Sequence, residues 1–310
     1  MANIAAAALC VTGLFQRAQK PCGYGDQVPS SSFTGLQVLH EPQNPTACLV
    51  DIIYIPDIVA DRSEAWNLTV PEFSWLRALL PTEVPAARIL AFGYNPTVGS
   101  MSEIISMGSV RRYALSLLEA VAQLREQDAN RSKNVDNRPI LYVAHGLGGI
   151  ALVITSTEER LRRLPTLTYG IILLGVPHFR AGYAQWAVMI STLLGLPTKG
   201  IKRQDWSPFS QDFDDLAEMQ TKFCNMIERR GGENDAWIKR VICFYEELAI
   251  PIHKLILSPE WSVIPGVPSG AIAKDHFSMA KFKTADEFGF QRIARELSWW
   301  LTKLGTPLIP

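Results

Sequence analysis

The sequence predicts an α/β fold, with a mainly parallel central sheet flanked by helices. Three observations carry the prediction. Apolar runs rich in β-branched residues recur at Leu49–Ile55, Arg88–Phe92, Ile140–Ala144 and Gly170–Gly175, as expected of strands buried on both faces. Helical periodicity separates them, most clearly over Ser109–Gln127, where Val110, Tyr113, Leu117, Val121 and Leu124 fall at three- and four-residue steps. The 310 residues are 47% hydrophobic, enough to bury one sizeable core.

Taken in order, residues 1–34 are mixed and turn-rich and read as an arm, followed by one domain over 35–310. Leu36–His40 reads as an early strand and Leu49–Ile55 as a buried one that breaks at Pro56-Asp57. Phe73–Leu80 reads as a short helix ended by Pro81, and Arg88–Phe92 as a strand closing at Gly93-Tyr94-Asn95-Pro96. After the long helix comes Ile140–Ala144, a sharp Gly-rich turn, and a helix from about Gly148 to Arg163. Gly170–Gly175 ends at Val176-Pro177-His178. Strands and helices at this spacing describe βαβ units.

The stretch 179–235 interrupts the alternation with an apolar segment containing Trp186 and a more polar helix over Phe213–Arg229. An insertion here reads as a helical lid over a pocket or, with equal standing, as helices packed on the side of the sheet. Val241–Tyr245 resumes the alternation and ends in Glu246-Glu247. Lys254–Ser258 reads as the last strand, followed by a Pro/Gly-rich loop delivering Lys274-Asp275-His276-Phe277. The terminal helix, about Glu287–Leu304, carries Ile293, Leu297, Trp300, Leu301 and Leu304 on one stripe.

Composition narrows the partners. The 30 basic and 30 acidic residues cancel, and no Lys/Arg run points to nucleic acid. Five cysteines without metal spacing fit reduced thiols, so the expected compartment is cytoplasmic, with no cofactor and no metal. The start, Ala2–Phe15, is too short to span a bilayer and lacks the basic region of a secretory signal. An acid-free stretch before Asp26 leaves a transit peptide as the alternative to a plain extension. A small apolar molecule is the expected ligand, and a homo-oligomer stays open.

The chemistry-bearing stretch is Pro139–Ile150, a strand running into His145-Gly146-Leu147-Gly148-Gly149. Strand, sharp turn and helix are the setting of the nucleophile elbow, G-x-S-x-G, whose apex here is Gly146. Ligands of open α/β sheets sit at the carboxyl ends of strands. Gly146, Glu246 and His276 follow in the order nucleophile, acid, histidine. Glu246 competes with Glu247 for the acid position, since one of the two faces inward if the strand alternates. Asp57 is either a buried carboxylate near His276, able to act as acid or base, or a solvated loop residue. His145 reads as a packing or turn residue, and His178 as a pocket residue or a turn hydrogen-bonder. His40 and His253 carry no case.

The chain resembles the fungal α/β-hydrolase-fold domains of the serine esterase or lipase-like group, found alone or at the N-terminus of fungal NOD-like receptors. The resemblance runs from Gly35 to Phe282. It rests on Val50-Asp51-Ile52-Ile53-Tyr54-Ile55, Ala91-Phe92-Gly93-Tyr94, Ala144-His145-Gly146-Leu147-Gly148-Gly149, Leu174-Gly175-Val176-Pro177-His178, Phe244-Tyr245-Glu246 and Asp275-His276. The group's elbow looks like A-H-S-L-G-G and its first loop like H-G-L; this chain has Gly146 and Pro56-Asp57 there.

Those departures predict the site's state. Glycine has no oxygen with which to attack a carbonyl, so an acyl-enzyme at position 146 is excluded. Pro56 has no N–H to offer, and Asp57 brings negative charge where an oxyanion would form. The Leu147 N–H remains a donor, and His276 backed by Glu246 keeps proton-transfer capacity. The vacated apex is expected to enlarge the pocket. The favoured reading is a repurposed enzyme performing lyase, isomerase or cyclase chemistry on an apolar molecule, in keeping with fungal secondary metabolism. The alternatives are a pseudohydrolase that senses ligands or partners, and a weak esterase using His-activated water.

Overall fold

The computed structural model describes residues 35–44, 47–57, 71–93, 107–131, 138–157, 167–178, 210–228, 238–249 and 255–305. The N-terminal arm and Trp186 lie outside the described residues.

A seven-stranded sheet forms the centre. In chain order its elements are β1 (Gly35–His40), β2 (Val50–Ile55), α1 (Pro71–Ala78), α2 (Leu80–Glu83), β3 (Ala87–Gly93), α3 (Met107–Arg131), β4 (Ile140–His145), α4 (Gly146–Thr157), β5 (Thr168–Leu174), α5 (Ser210–Glu228), β6 (Arg240–Glu246), α6 (Pro259–Ser262), β7 (Ser269–Ile272) and α7 (Phe288–Gly305). The strand order is β1-β3-β2-β4-β5-β6-β7. β1 runs antiparallel to β3, and every other neighbouring pair is parallel.

Both faces of the sheet are covered. Ile53 and Ile55 of β2, Tyr142 and Ala144 of β4, and Ile171 and Leu173 of β5 join α3, α4 and α5 in one core. Ile52, Tyr54, Leu141, Val143, Ile172 and Leu174 alternate into the other, against α1 and α7. This two-residue alternation between two apolar layers is why the central strands read as unbroken apolar runs. In the second layer Trp75 of α1 meets Tyr54, Phe282 and Phe290 edge-on, with centroids 6.1, 5.4 and 6.2 Å away.

Three expectations need correcting. Pro81 does not end the first helix; it sits in the first turn of α2, where its missing N–H costs nothing. Residues 255–258 are not a strand. The last strand is instead β7, inside the Pro/Gly-rich stretch, where Cys243 pairs with Ser269 and Glu246 with Ile272. The helix after the Gly-rich turn begins at Gly146 itself, two residues earlier than the glycines suggest. Of the 179–235 stretch, α5 packs Leu216, Phe223, Cys224 and Ile227 into the first core. No helix among the described residues is long and apolar enough to cross a membrane.

A buried charge cluster ties the opposite, amino ends of the strands. Arg88 donates to Asp51 through Nε at 2.8 Å and Nη2 at 3.0 Å, and its Nη1 donates to Asp128 at 3.1 Å. Arg125 and Arg138 reach the same Asp51 carboxylate at 2.9 and 3.2 Å. β2, β3, α3 and the segment leading into β4 are thereby cross-linked by one aspartate.

Candidate functional site

The site forms where the strand order reverses. β3 lies on one side of β2 and β4 on the other, so the chain leaves the ends of β2 and β4 in opposite directions and opens a crevice between them. Ile55 is in register with Ala144, which brings Pro56-Asp57 level with His145-Gly146.

Gly146 holds the apex of the turn at φ +52°, left-handed backbone that glycine adopts without a Cβ penalty. The space over it, expected from sequence to be vacant and to enlarge the pocket, is filled. A Cβ built there would lie 2.4 Å from Asp57 Cγ and 2.5 Å from its Oδ2. Asp57 is buried, and the Leu147 N–H donates to its Oδ1 at 3.0 Å. A carboxylate from the neighbouring strand thus occupies the apex and takes the amide donor at the start of α4, where negative charge is favoured.

His276 faces this carboxylate. Its Nε2 lies 3.3 Å from Asp57 Oδ2, and its Nδ1 lies 3.1 Å from Glu246 Oε2. Glu246 closes β6 pointing inward, while Glu247 is exposed, which resolves the choice between them. The Leu257 N–H donates to Glu246 Oε1 at 2.9 Å and fixes the carboxylate. Local sequence sets the imidazole. Asp275 accepts from the Phe277 and Ser278 amides at 3.0 and 3.1 Å and from Ser278 Oγ at 2.8 Å, an Asx-type turn that presents His276. Gly175, at φ +53°, makes room for it, since a Cβ there would come within 3.1 Å of the ring. Farther along, Lys274 spans the loop to Glu287 at 2.6 Å.

His145 sits beneath. Its ring nitrogen Nε2 is 2.8 Å from the His276 carbonyl oxygen; a carbonyl only accepts, so Nε2 carries the proton and Nδ1 does not. Among the described residues, its buried Nδ1 has no hydrogen-bond partner, and neither do the ring nitrogens of buried His178.

Environment separates the three imidazoles. Burial alone would push His276 down, but the Asp57 and Glu246 carboxylates outweigh it and lift its pKa to about 9. At neutral pH the ring is an imidazolium between two carboxylates. Burial, reinforced by the His276 charge and partly offset by Asp57, lowers His145 to about 4. Burial lowers His178 to about 3. Both are neutral at pH 7.

Asp57, Gly146, Leu147, Glu246, His276 and His145 therefore come together, as a carboxylate–imidazolium–carboxylate row over a left-handed turn. This is an α/β-hydrolase fold. It carries glycine at the turn from β4 into α4, with the Asp57 carboxylate in the space a side chain there would take. His178 follows β5 at the same edge and is buried. Leu257, Asp275 and Gly175 were not singled out from sequence. Asp275 could have been, because Asp followed by Ser three positions later is a turn signal.

No protein-family model matches the chain. It is 23% identical over 291 residues to protein SERAC1 of Bos taurus, covering 86% of this chain and 41% of that protein. It is 24% identical over 283 residues to protein SERAC1 of Homo sapiens, covering 83% and 40%. The chain thus spans about two fifths of the length of these curated relatives. Among solved structures, the mature lipase BlEst2 of Bacillus licheniformis aligns with a TM-score of 0.46 and 12% identity, over 85% of this chain and 97% of that one.

Proposed function

We propose that this chain is a pseudohydrolase, an α/β-hydrolase-fold domain used for binding or interaction and unable to transfer acyl groups through its elbow. One observation carries the reading: the Asp57 carboxylate fills the place of the attacking side chain and also takes the Leu147 amide. A carbonyl substrate needs both positions, one for the nucleophile and one for the developing oxyanion. It also needs a neutral imidazole to accept a proton, whereas His276 is charged at pH 7.

The test is a panel of short and long acyl esters on four proteins. Wild type should show no turnover above the buffer rate. Gly146→Ser alone should stay inactive, because its side chain is built into the Asp57 carboxylate. Asp57→Gly alone should also stay inactive. The double variant, with a serine and an open space beside His276, should acquire ester hydrolysis. Wild-type turnover abolished by His276→Ala would refute the reading.

A second reading is favoured by the intact Glu246–His276 pair. A buried imidazolium beside a carboxylate is a ready general acid, suited to lyase, isomerase or cyclase chemistry on an apolar molecule. Under this reading, product forms with wild type and disappears in His276→Ala. Under the first, ligand binding survives that substitution.

A further inference from the structure

We propose that Asp57, His145 and His276 form a binding site for a divalent transition metal of the zinc class. The inference goes beyond the pseudohydrolase reading and does not depend on it.

The three residues lie far apart in sequence, so no metal-ligand spacing marks them. In the fold they meet at the ends of β2, β4 and β7. One donor atom from each lies within 4.8 Å of the donors of the other two. Asp57 Oδ2 and His276 Nε2 stand 3.3 Å apart. Zinc bonds of about 2.0–2.1 Å in tetrahedral array put neighbouring ligand atoms roughly 3.3–3.4 Å apart, so this pair already stands at the required separation. His145 needs to close by at most roughly 1.5 Å to match it.

Each ligand is also held from behind, as metal ligands are. The Nδ1 of His276 is backed by Glu246, whose other oxygen accepts the Leu257 N–H. The Nε2–H of His145 donates to the His276 carbonyl. Asp57 Oδ1 accepts the Leu147 N–H. These contacts hold one side of each group. His145 Nδ1 is buried, without a hydrogen-bond partner among the described residues, and keeps a lone pair able to ligate. A buried acceptor left so is destabilising, and coordination would relieve it.

Charge and ligand type select the ion. A metal there displaces the His276 Nε2 proton, and one divalent cation then balances the two buried carboxylates, Asp57 and Glu246. Two imidazoles and one carboxylate suit zinc and its cobalt and nickel neighbours. Calcium and magnesium prefer all-oxygen shells, and copper(I) prefers sulfur. The fourth position falls to water or to another ligand.

Because the ligands are buried, the full chain is unfolded in chelator and refolded with Co²⁺ or Zn²⁺, then desalted. Wild type should retain one metal per chain by elemental analysis, show visible Co²⁺ absorption, and melt at a higher temperature than protein refolded in chelator. Asp57→Asn, His145→Gln and His276→Gln should each lose at least tenfold in Co²⁺ affinity. Cys48→Ala should retain it. Refolded wild type that keeps no metal overturns the proposal however the variants fold. So does retention unchanged in His145→Gln, or loss in Cys48→Ala.

Discussion

Replacing Asp57 by asparagine keeps the side chain's shape and removes its charge, and so isolates what the carboxylate does to its neighbours. The leading upward influence on His276 is its contact with Asp57, followed by Glu246. In metal-free Asp57→Asn the His276 pKa should therefore fall from about 9 toward the ordinary histidine value of about 6.5. An NMR titration of the imidazole C–H resonances in chelator reads this directly; an unmoved value would break the assigned row. Gly146→Ala probes the same contact from the other side. Its methyl would stand 2.4 Å from Asp57 Cγ on backbone at φ +52°. The left-handed conformation alone costs about 1–2 kcal/mol, so urea denaturation should show a loss at least that large. Asp57 as a buried carboxylate near His276 was legible in sequence only as one of two alternatives, the other being a solvated loop residue. Its filling of the space above Gly146 was not legible. That depends on Ile55 being level with Ala144, a register no local pattern encodes.

Among elements, the strands buried on both faces were the most readable part of the chain, since β2, β3, β4 and β5 sit between two apolar layers. The failures cluster after β6. Ile256 and Leu257 are as buried as strand residues and so imitate one, but the Leu257 N–H goes to the Glu246 side chain and not to a neighbouring strand. Conversely, β7 has only four residues, one of them Gly270, and its pairing comes from lying beside β6. Tertiary context overrode propensity in both places. The same holds at the amino ends of the strands, where Asp51 interrupts an apolar run for a reason visible only in the fold. Arg88, Arg125 and Arg138 converge on its buried carboxylate. Removing one partner of a buried ion pair leaves uncompensated charge and typically costs 3–5 kcal/mol. Asp51→Asn strands parts of three guanidiniums, with Asp128 still serving Arg88. A loss within that range by chemical denaturation is expected. A loss under 1 kcal/mol would mean that the cluster relaxes or hydrates at little cost.

For the molecule as a whole, the three buried imidazoles set opposing pH dependences. His145 and His178 are held neutral, with folded-state pKa values of about 4 and about 3. Below the unfolded-state value of about 6.5 the unfolded chain binds protons that the folded chain refuses, so stability falls as the medium is acidified toward pH 4 and then 3. His276 acts the other way. Its folded-state pKa of about 9 means that the folded chain holds a proton the unfolded chain releases above about 6.5. The stability it contributes is complete below that point and is lost as pH rises through 9, on the order of 3 kcal/mol in all. Because Asp57 and Glu246 flank His276 while His145 lies against it, the acid and alkaline limbs are coupled through one charged row. Chemical denaturation in chelator should then give a stability maximum near pH 6.5–7. His178→Gln should flatten the acid side, because it removes the most strongly depressed of the three. Asp57→Asn should flatten the alkaline side, because it removes what holds the His276 proton. A stability that climbed steadily from pH 6.5 to 9 would show that His276 is neutral in the folded chain. The charged row, and with it the reason given for an inert elbow, would then be wrong.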